Sequence, residues 1–503
     1  MIAATIDTLL GIGAFLGITS ISSAIFIAGV VAAAGVIGSL ATLAVIDHLQ
    51  NKDVVRHNFP LVGRLIPAIN YLGKFFRNHA FLGDRDEKPF NRSHRKAVYN
   101  LAEGKSNIAA FGSTRDQRKS GTYIFANAQF FQDTKTSSVV IGPYTANPYM
   151  LKSIFNISAM SYGAISEPAV RALSRGAKAS ECMFDTGEGG LAPAHLDAKP
   201  DLVFEIGTAK YGVRDANGDL DEAKVIEIAA HEEVKMFSVK LAQGAKPGEG
   251  GRLPAKKVTA EIAKIRGIPA GQDSESPDHH KDINSVPELL DFIERMKKLT
   301  DKPVGFKAIF SRKQDVQALC DEIKKRDTKL APDFIILDGG EGGSGAAPEV
   351  LMDNVGMSIR ESLPMVKQTL VENGLHQRIR IGASGGLILP EHVAWAVAAG
   401  ADFVNSARGM LFGMGCVMAM RCNKDTCPTG LTTNNPKLQK GFNPEDKGVR
   451  VANYIKSVND GVVKIAHACG LDDARKLRPE HVNIIGSNGQ SVSMQSLYPQ
   501  LKF

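Results

Sequence analysis

Three of the six cysteines, Cys416, Cys422 and Cys427, fall within twelve residues of one another, whereas Cys182, Cys320 and Cys469 stand singly. Thiols gathered in this way are metal ligands, cluster ligands or disulfide partners. A chain without a secretory cleavage site favours the first two, because cytosolic thiols stay reduced. The spacing C-x5-C-x4-C, followed at once by Pro428, lacks the C-x2-C knuckle of zinc modules, and no His lies among the three to complete a tetrahedron. An iron-sulfur cluster with three thiolate ligands suits the pattern better. Zinc, or three buried thiols acting as small hydrophobes, are the alternatives.

A second candidate for chemistry is the tetrapeptide Gly-Glu-Gly-Gly, which occurs at 187–190, 248–251 and 340–343. The separations are unequal, so it is no structural repeat. Glycine at this density lets backbone amides approach a flat or anionic ligand that side chains would hold off. Tight turns are the plainer reading of any one copy.

These residues must be positioned by a larger framework. From Ile154 onward, short β-rich runs (154–159, 234–241, 304–309, 334–337, 378–381, 402–405) alternate with amphipathic helical stretches, which argues for a parallel α/β architecture. Several runs end in small or glycine-rich turns, such as Gly382-Ala383-Ser384-Gly385-Gly386 and Ser406-Ala407-Arg408-Gly409. In a (β/α)8 TIM barrel these turns open on one face, and the last two make a phosphate site. A doubly wound sheet is the rival. No G-x-G-x-x-G follows an early strand, which counts against its dinucleotide-binding form.

The chain has 503 residues, 44% of them hydrophobic, and a formal charge of +7. That size accommodates one large domain with appendages. The mild basicity suits an anionic membrane surface or acidic partner; without a Lys/Arg stripe interleaved with aromatics, nucleic acid is not expected. Between Thr8 and Ile46 there is no Asp, Glu, Lys, Arg or His, a run about twice the roughly 20 residues that cross a bilayer. Asp7 and the length of the run exclude a signal peptide. The polar break at 17–23 leaves two topologies, a two-span hairpin or one long tilted span. Lys52, Arg56, Arg64, Lys74 and Arg77 follow, and this positive flank places the remainder on the cytoplasmic side of the inner membrane. The expected organisation is an anchor at 1–47, a lead-in region at 48–150 packing on the barrel, the barrel at 151–435, and a helical C-terminal extension at 436–503.

The stretches Ser158-Ala159-Met160-Ser161-Tyr162-Gly163-Ala164-Ile165-Ser166, Asp185-Thr186-Gly187-Glu188-Gly189-Gly190, Lys240 to Gly251 and Gly342 to Pro348, with the three clustered cysteines, resemble the FMN-binding synthase domain of glutamate synthase. The likeness runs from about residue 90 to 435. With the anchor, it looks like the stand-alone bacterial form. The resemblance implies a (β/α)8 barrel with FMN at the C-terminal ends of the strands, and a [3Fe-4S] cluster on Cys416, Cys422 and Cys427. It implies conversion of 2-oxoglutarate and ammonia, through 2-iminoglutarate, to L-glutamate. An electron donor such as ferredoxin or a reductase subunit would be the partner. By position, Met160, Ser161, Thr186, Lys240, Gln243, Gly343, Gly385, Gly386, Ala407 and Arg408 match cofactor-binding residues. Lys307 matches the lysine opposite flavin N1, Glu188 the catalytic-region glutamate, and Lys246 and Arg266 the cations that bind the oxo acid.

Two departures stand out. Residue 2 is Ile, where the family's glutaminase domain starts with its catalytic cysteine, so glutamine hydrolysis is not expected and ammonia comes free or from a separate subunit. Arg252 stands where the family has a glutamine that contacts 2-oxoglutarate, which changes the size and charge of the pocket. The rival functions are an amino-acid dehydrogenase running in reverse to a membrane electron carrier, an inactive scaffold, and an FMN isomerase.

Overall fold

The computed structural model describes residues 21–50, 54–76, 81–106 and 108–501. The chain divides into two compact units, Met1–Arg92 and Ser93–Phe503.

In the first unit, the helix Ile21–Leu49 is apolar on all sides up to Ile46, and its Ala28–Leu49 stretch, with a mean hydropathy of 2.2 and no buried residue but Asp47, is long enough to cross a membrane. The first arm of the expected hairpin, residues 8–20, lies outside the described residues. Two further helices, Val54–Asn58 and Val62–Phe76, follow.

The second unit is built on a closed parallel barrel of eight strands: β1 (Phe155–Ile157), β2 (Met183–Asp185), β3 (Asp201–Ile206), β4 (Val234–Lys240), β5 (Val304–Ala308), β6 (Phe334–Asp338), β7 (Arg380–Ser384) and β8 (Phe403–Ser406). β8 closes on β1 with Asn405 opposite Asn156. The (β/α)8 expectation is therefore met. β1 and β4 to β8 overlap the six β-rich runs, although β7 starts at Arg380 and continues through Gly382-Ala383-Ser384, residues expected to form a turn, while β2 and β3 were not anticipated. Both carry acids among apolar residues, Asp185 in β2 and Asp201 and Glu205 in β3, which masks them as β signals.

Helices return the chain between strands, several of them started by a side-chain cap. Ser166 caps Glu167–Ser180 by accepting the amide of Ala169, and Ser285 caps Val286–Thr300 by accepting that of Glu288. The long helix Pro444–Ala468 lies on Glu167–Ser180 so closely that a side chain at Gly176 would collide with Val451. The N-terminal mouth of the barrel is plugged by an antiparallel pair, Val139–Ile141 with Tyr149–Leu151. Ile141, Tyr149 and Leu151 pack there on Met183, Val203, Met236, Phe334 and Phe403. Beyond the long helix, the chain adds strands Val482–Ile485 and Ser491–Ser493, and the former pairs with Tyr123–Phe125.

Candidate active site

Most of the barrel strands carry a charged or polar residue at or next to their C-terminal ends: Asp185, Glu205, Lys240, Lys307, Asp338, Ser384 and Asn405, all buried. β4 and β5 place Lys240 and Lys307 side by side in register. Two buried ammonium groups in adjacent strands need carboxylates, and the neighbouring strands supply them. Glu188, on the turn after β2, lies 3.0 Å from Lys240, and Glu205 lies 3.7 Å from Lys307. Burial alone would depress the Lys307 ammonium, but Glu205, Asp338 and Asp185 outweigh it and hold it above the ordinary lysine range. Burial, reinforced by Glu205, pushes the Asp185 carboxyl well up. Glu188 goes the other way: burial opposes its charge, yet Lys240, Lys246 and Arg266 hold it below the usual carboxylate range.

The three Gly-Glu-Gly-Gly segments meet on this face, and their glutamates do different work. Glu188 is wedged between backbone positions where no side chain fits: a Cβ at Gly207 or at Gly251 would each come within 2.7 Å of its carboxylate oxygens. The first and second tetrapeptides are thus in contact. Glu249 pairs at 3.5 Å with Arg252. Glu341 accepts the Ile359 amide (3.0 Å) and the Ser358 hydroxyl (2.8 Å), starting the helix Ile359–Glu372. Asp338 ties three loops together by accepting the amide of Gly244 and the hydroxyl of Ser384, each at 2.7 Å.

Of the residues singled out for substrate, Lys246 is buried, donates to the carbonyl of Gly250, and is pulled below the ordinary lysine range by burial and then by Lys240. Arg266 is also buried. It donates to Ser274 Oγ (3.1 Å) and the Tyr162 carbonyl (3.0 Å) and lies 4.9 Å over the Tyr211 ring. Arg252 is at the rim, its side chain 60% exposed. The cations gathered around Glu188 are therefore Lys240, Lys246 and Arg266, with Arg252 outside them.

Among the cofactor candidates, Thr186 is consumed internally: its hydroxyl accepts the Glu205 amide and donates to the Gly187 carbonyl. Met160 and Ser161 form the turn against which Gly187 presses, where a Cβ would sit 2.6 Å from the Ser161 nitrogen. Gln243, half-buried, follows β4 on the loop that Asp338 holds at Gly244. Gly385 and Gly386, at φ 125° and 71°, adopt backbone that suits glycine alone. Ala407 precedes Arg408, whose guanidinium donates to the Glu341 carbonyl and lies against Gly343. The glycine turns after β6 and β7 and the start of the helix Arg408–Gly413 so share one corner.

Several buried polar atoms of the barrel have no hydrogen-bond partner: Asp185 Oδ2, Glu205 Oε2, Ser238 Oγ and both polar atoms of the Asn405 amide. Unsatisfied groups of this kind, beside two lysines, fit a flat ligand with polar edges and negative charge, as FMN is.

The cysteine loop follows the helix Arg408–Gly413. Burial pushes the Cys416 thiol up to about 12. At Cys427 burial is outweighed by hydrogen bonds from Thr429 and Thr432, which bring the thiol below its usual range. Among the described residues, no group of three or more Cys, His, Asp or Glu stands at metal-binding spacing. The loop is nonetheless fixed. Lys257, 1% exposed, donates to the carbonyls of Ala164 (2.8 Å), Thr432 (3.0 Å) and Cys422 (3.4 Å), and Tyr99 donates to that of Cys416 (2.6 Å). Three soft donors on one pinned loop fit an iron-sulfur ligand set in chemistry. Sequence reasoning missed Lys257, Asp185, Glu205 and Asp338; for the acids the available signal was a charge closing an apolar run, as in Met183-Phe184-Asp185 and Phe334-Ile335-Ile336-Leu337-Asp338.

A closed (β/α)8 barrel whose C-terminal mouth holds buried, incompletely partnered charges is the architecture of a barrel enzyme. Residues 92–472 match the family model described as the conserved region in glutamate synthase. The chain is 34% identical to the glutamate synthase large subunit-like protein YerD of Bacillus subtilis, over 92% of this chain and 95% of that protein. It is 36% identical to the archaeal glutamate synthase [NADPH] of Methanocaldococcus jannaschii, over 64% of this chain and 60% of that protein. The chain belongs to the glutamate synthase family. Among solved structures, a flavocytochrome b2 variant with sulfite bound aligns with a TM-score of 0.46 at 14% identity, over 89% of this chain and 94% of that one.

Proposed function

We propose that this protein is a membrane-tethered oxidoreductase that reduces 2-iminoglutarate, formed from 2-oxoglutarate and ammonia, to L-glutamate. The observation that carries this reading is the buried set of Lys240, Lys307, Glu188 and Glu205 at the barrel mouth, within the segment that matches the family. FMN would be held by the turns at Met160-Ser161, Thr186, Gln243, Gly343, Gly385-Gly386 and Ala407-Arg408, and by the two lysines. Cys416, Cys422 and Cys427 would hold a [3Fe-4S] cluster. When bound, the flavin supplies hydride and the cluster relays electrons from a ferredoxin or a reductase subunit.

The chain's own groups do the rest. Lys307 keeps a fixed positive charge at the end of β5, where negative charge developing on a ligand is stabilised without reorganisation. Lys246 and Arg266 offer cations to the two carboxylates of the oxo acid, with Arg252 at the approach. Glu188 stays anionic and orients Lys240. The helix Ile21–Leu49 would tether the enzyme to the inner membrane, and the basic residues after it support a barrel on the cytoplasmic side.

The exposed apolar helix also favours a second reading, in which an amino acid is oxidised and electrons pass through the cluster to a membrane carrier. The test is anaerobic purification in detergent, with flavin, iron and zinc content, dithionite titration, and a screen of 2-oxo acids with ammonia for reoxidation of the reduced flavin. Reoxidation by 2-oxoglutarate with ammonia is expected. Quinone reduction by an amino acid instead establishes the reverse direction, and zinc without iron removes the cluster.

A further inference from the structure

The helix Val62–Phe76 is built inside out for a soluble protein. Its residues Val62, Leu65, Ile69 and Leu72, spaced by three and four, form one stripe, and each is between 49% and 63% exposed. At its first turn the residues facing away from the stripe meet the preceding segment. Gly63 is buried so tightly that a Cβ there would lie 2.8 Å from the Arg56 backbone, and Arg64 reaches Asp47 at 2.6 Å. An ordinary surface helix buries its apolar stripe; this one exposes it.

Its position explains the reversal. The helix begins thirteen residues after Leu49, the end of the helix that is apolar on all sides. The junction is clasped by Asp47, which is fully buried. One oxygen accepts two bonds from Arg56 (2.7 and 3.1 Å), and the other accepts from Arg64 (2.6 Å) and the Leu61 amide (3.2 Å). A charge-assisted knot of this kind fixes the direction in which the second helix leaves the first. Residues 47–77 carry five Lys and Arg against Asp47 and Asp53, and with Arg56 and Arg64 drawn to Asp47 the basic excess rests on Lys52, Lys74 and Arg77.

We propose that Val62–Phe76 lies in the plane of the membrane surface as a second lipid-contacting element, its apolar stripe seated at the headgroup and acyl boundary of an anionic bilayer. The inference rests on the reading of the preceding helix as the membrane span. That helix would bring the stripe to the interface, and the basic excess matches anionic headgroups.

The test uses the full chain reconstituted in phosphatidylcholine and phosphatidylglycerol vesicles that carry bromine-labelled acyl chains, at either shallow or deep positions. The chain has a single tryptophan, Trp395, buried in the barrel unit, which serves as an unquenched reference and as a sign of folding. Leu65→Trp and Ile69→Trp are made separately, with Val36→Trp as the reporter of the span. The introduced rings at 65 and 69 are expected to lose most of their emission with the shallow label and little with the deep one, while Val36→Trp responds to the deep label. Quenching at 36 without quenching at 65 or 69 overturns the surface helix and leaves the span standing. Blue-shifted but unquenched emission at 65 and 69 places the stripe against protein and overturns the proposal equally. Absence of quenching at all three positions removes the membrane reading itself.

Discussion

The two mouths of the barrel handle buried charge in opposite ways. At the N-terminal mouth, Asp333 is met by Lys297 at 2.9 Å and Arg378 at 3.0 Å and accepts the Val304 amide, while Asp402 takes Arg380 at 3.1 Å and the Ile381 amide at 2.9 Å. A plugging hairpin then shuts water out. At the C-terminal mouth, Lys307 has a carboxylate no nearer than 3.7 Å; Asp333 Oδ1 lacks a hydrogen bond just as Asp185 Oδ2 and Glu205 Oε2 do, but it has Arg378 at 3.0 Å, whereas Glu205 Oε2 has its cation only at 3.7 Å. One end spends its charges on holding the barrel together, and the other keeps them available to a ligand. Removing a charge should therefore have different consequences at the two ends.

The largest effect is expected from Lys307→Met. It leaves Glu205, Asp338 and Asp185 facing one another without their cation, and removing one partner of a buried pair costs about 3 to 5 kcal/mol. Flavin retention should be lost and turnover should fall by at least about a hundredfold. Lys297→Met, at the other mouth, should lower the melting temperature while leaving turnover per bound flavin unchanged. Flavin titration and calorimetry of the pair check this; full turnover in Lys307→Met would erase the distinction between the two mouths.

The next effect is a pH dependence contributed by Asp185 at the C-terminal mouth. The Asp185 carboxyl is raised in the folded state by burial and by Glu205. A group whose folded pKa lies above its unfolded value contributes stability that is fully present below the unfolded pKa and is lost as pH rises through the folded one. Stability should therefore decline above the ordinary carboxylate range near about pH 4, by no more than about 1.4 kcal/mol per pH unit for this one proton. Asp185→Asn should flatten that slope in melts between about pH 5 and about pH 8, a window above the ordinary carboxylate pKa. A slope that survives the substitution assigns the effect to another group.

The same contrast governs what the sequence revealed. The runs that became β1 and β4 to β8 announced themselves through branched and aromatic residues, because that is what a strand covered on both faces needs. β2 and β3 were hidden by Asp185 and Glu205, whose burial is tolerable only because Lys307 arrives from β5, more than a hundred residues later in sequence for either acid. No local pattern encodes that pairing. The glycine segments were legible as a site, but their division of labour was not: Glu188 faces cations, Glu249 pairs at the rim, and Glu341 starts a helix. Lys257 was invisible for the same reason as Glu205, since its carbonyl partners come from distant loops.

A smaller effect compares two glycines. Gly251→Ala would press a methyl group to within 2.7 Å of Glu188 Oε1 at the C-terminal mouth, and Gly142→Ala would press one to 2.6 Å from Pro303 at the plug, with φ at 69°. Displacing a carboxylate that orients Lys240 should lower turnover about tenfold with little change in melting temperature. The plug substitution should cost about 1 to 3 kcal/mol of stability and leave turnover intact. Activity assays and thermal melts of both proteins separate the outcomes; a matched loss of turnover in each would mean that the plug also shapes the site.

The smallest effect belongs to Arg252, and it locates the edge of the site. Its side chain is 60% exposed and pairs with Glu249 at 3.5 Å, and exposed pairs of this kind contribute about 0 to 1 kcal/mol. If the substrate is bound by Lys246 and Arg266, Arg252→Gln should change the Michaelis constant for 2-oxoglutarate by no more than about fivefold. Salt provides an independent reading, because screening acts on exposed charges and hardly on buried ones. The Arg252→Gln effect should shrink as ionic strength rises, whereas that of Lys307→Met should persist. A large, salt-independent gain in 2-oxoglutarate turnover on Arg252→Gln would mean instead that Arg252 closes over the bound acid and that the pocket is tuned to a different substrate, moving the boundary between rim and mouth outward by one residue.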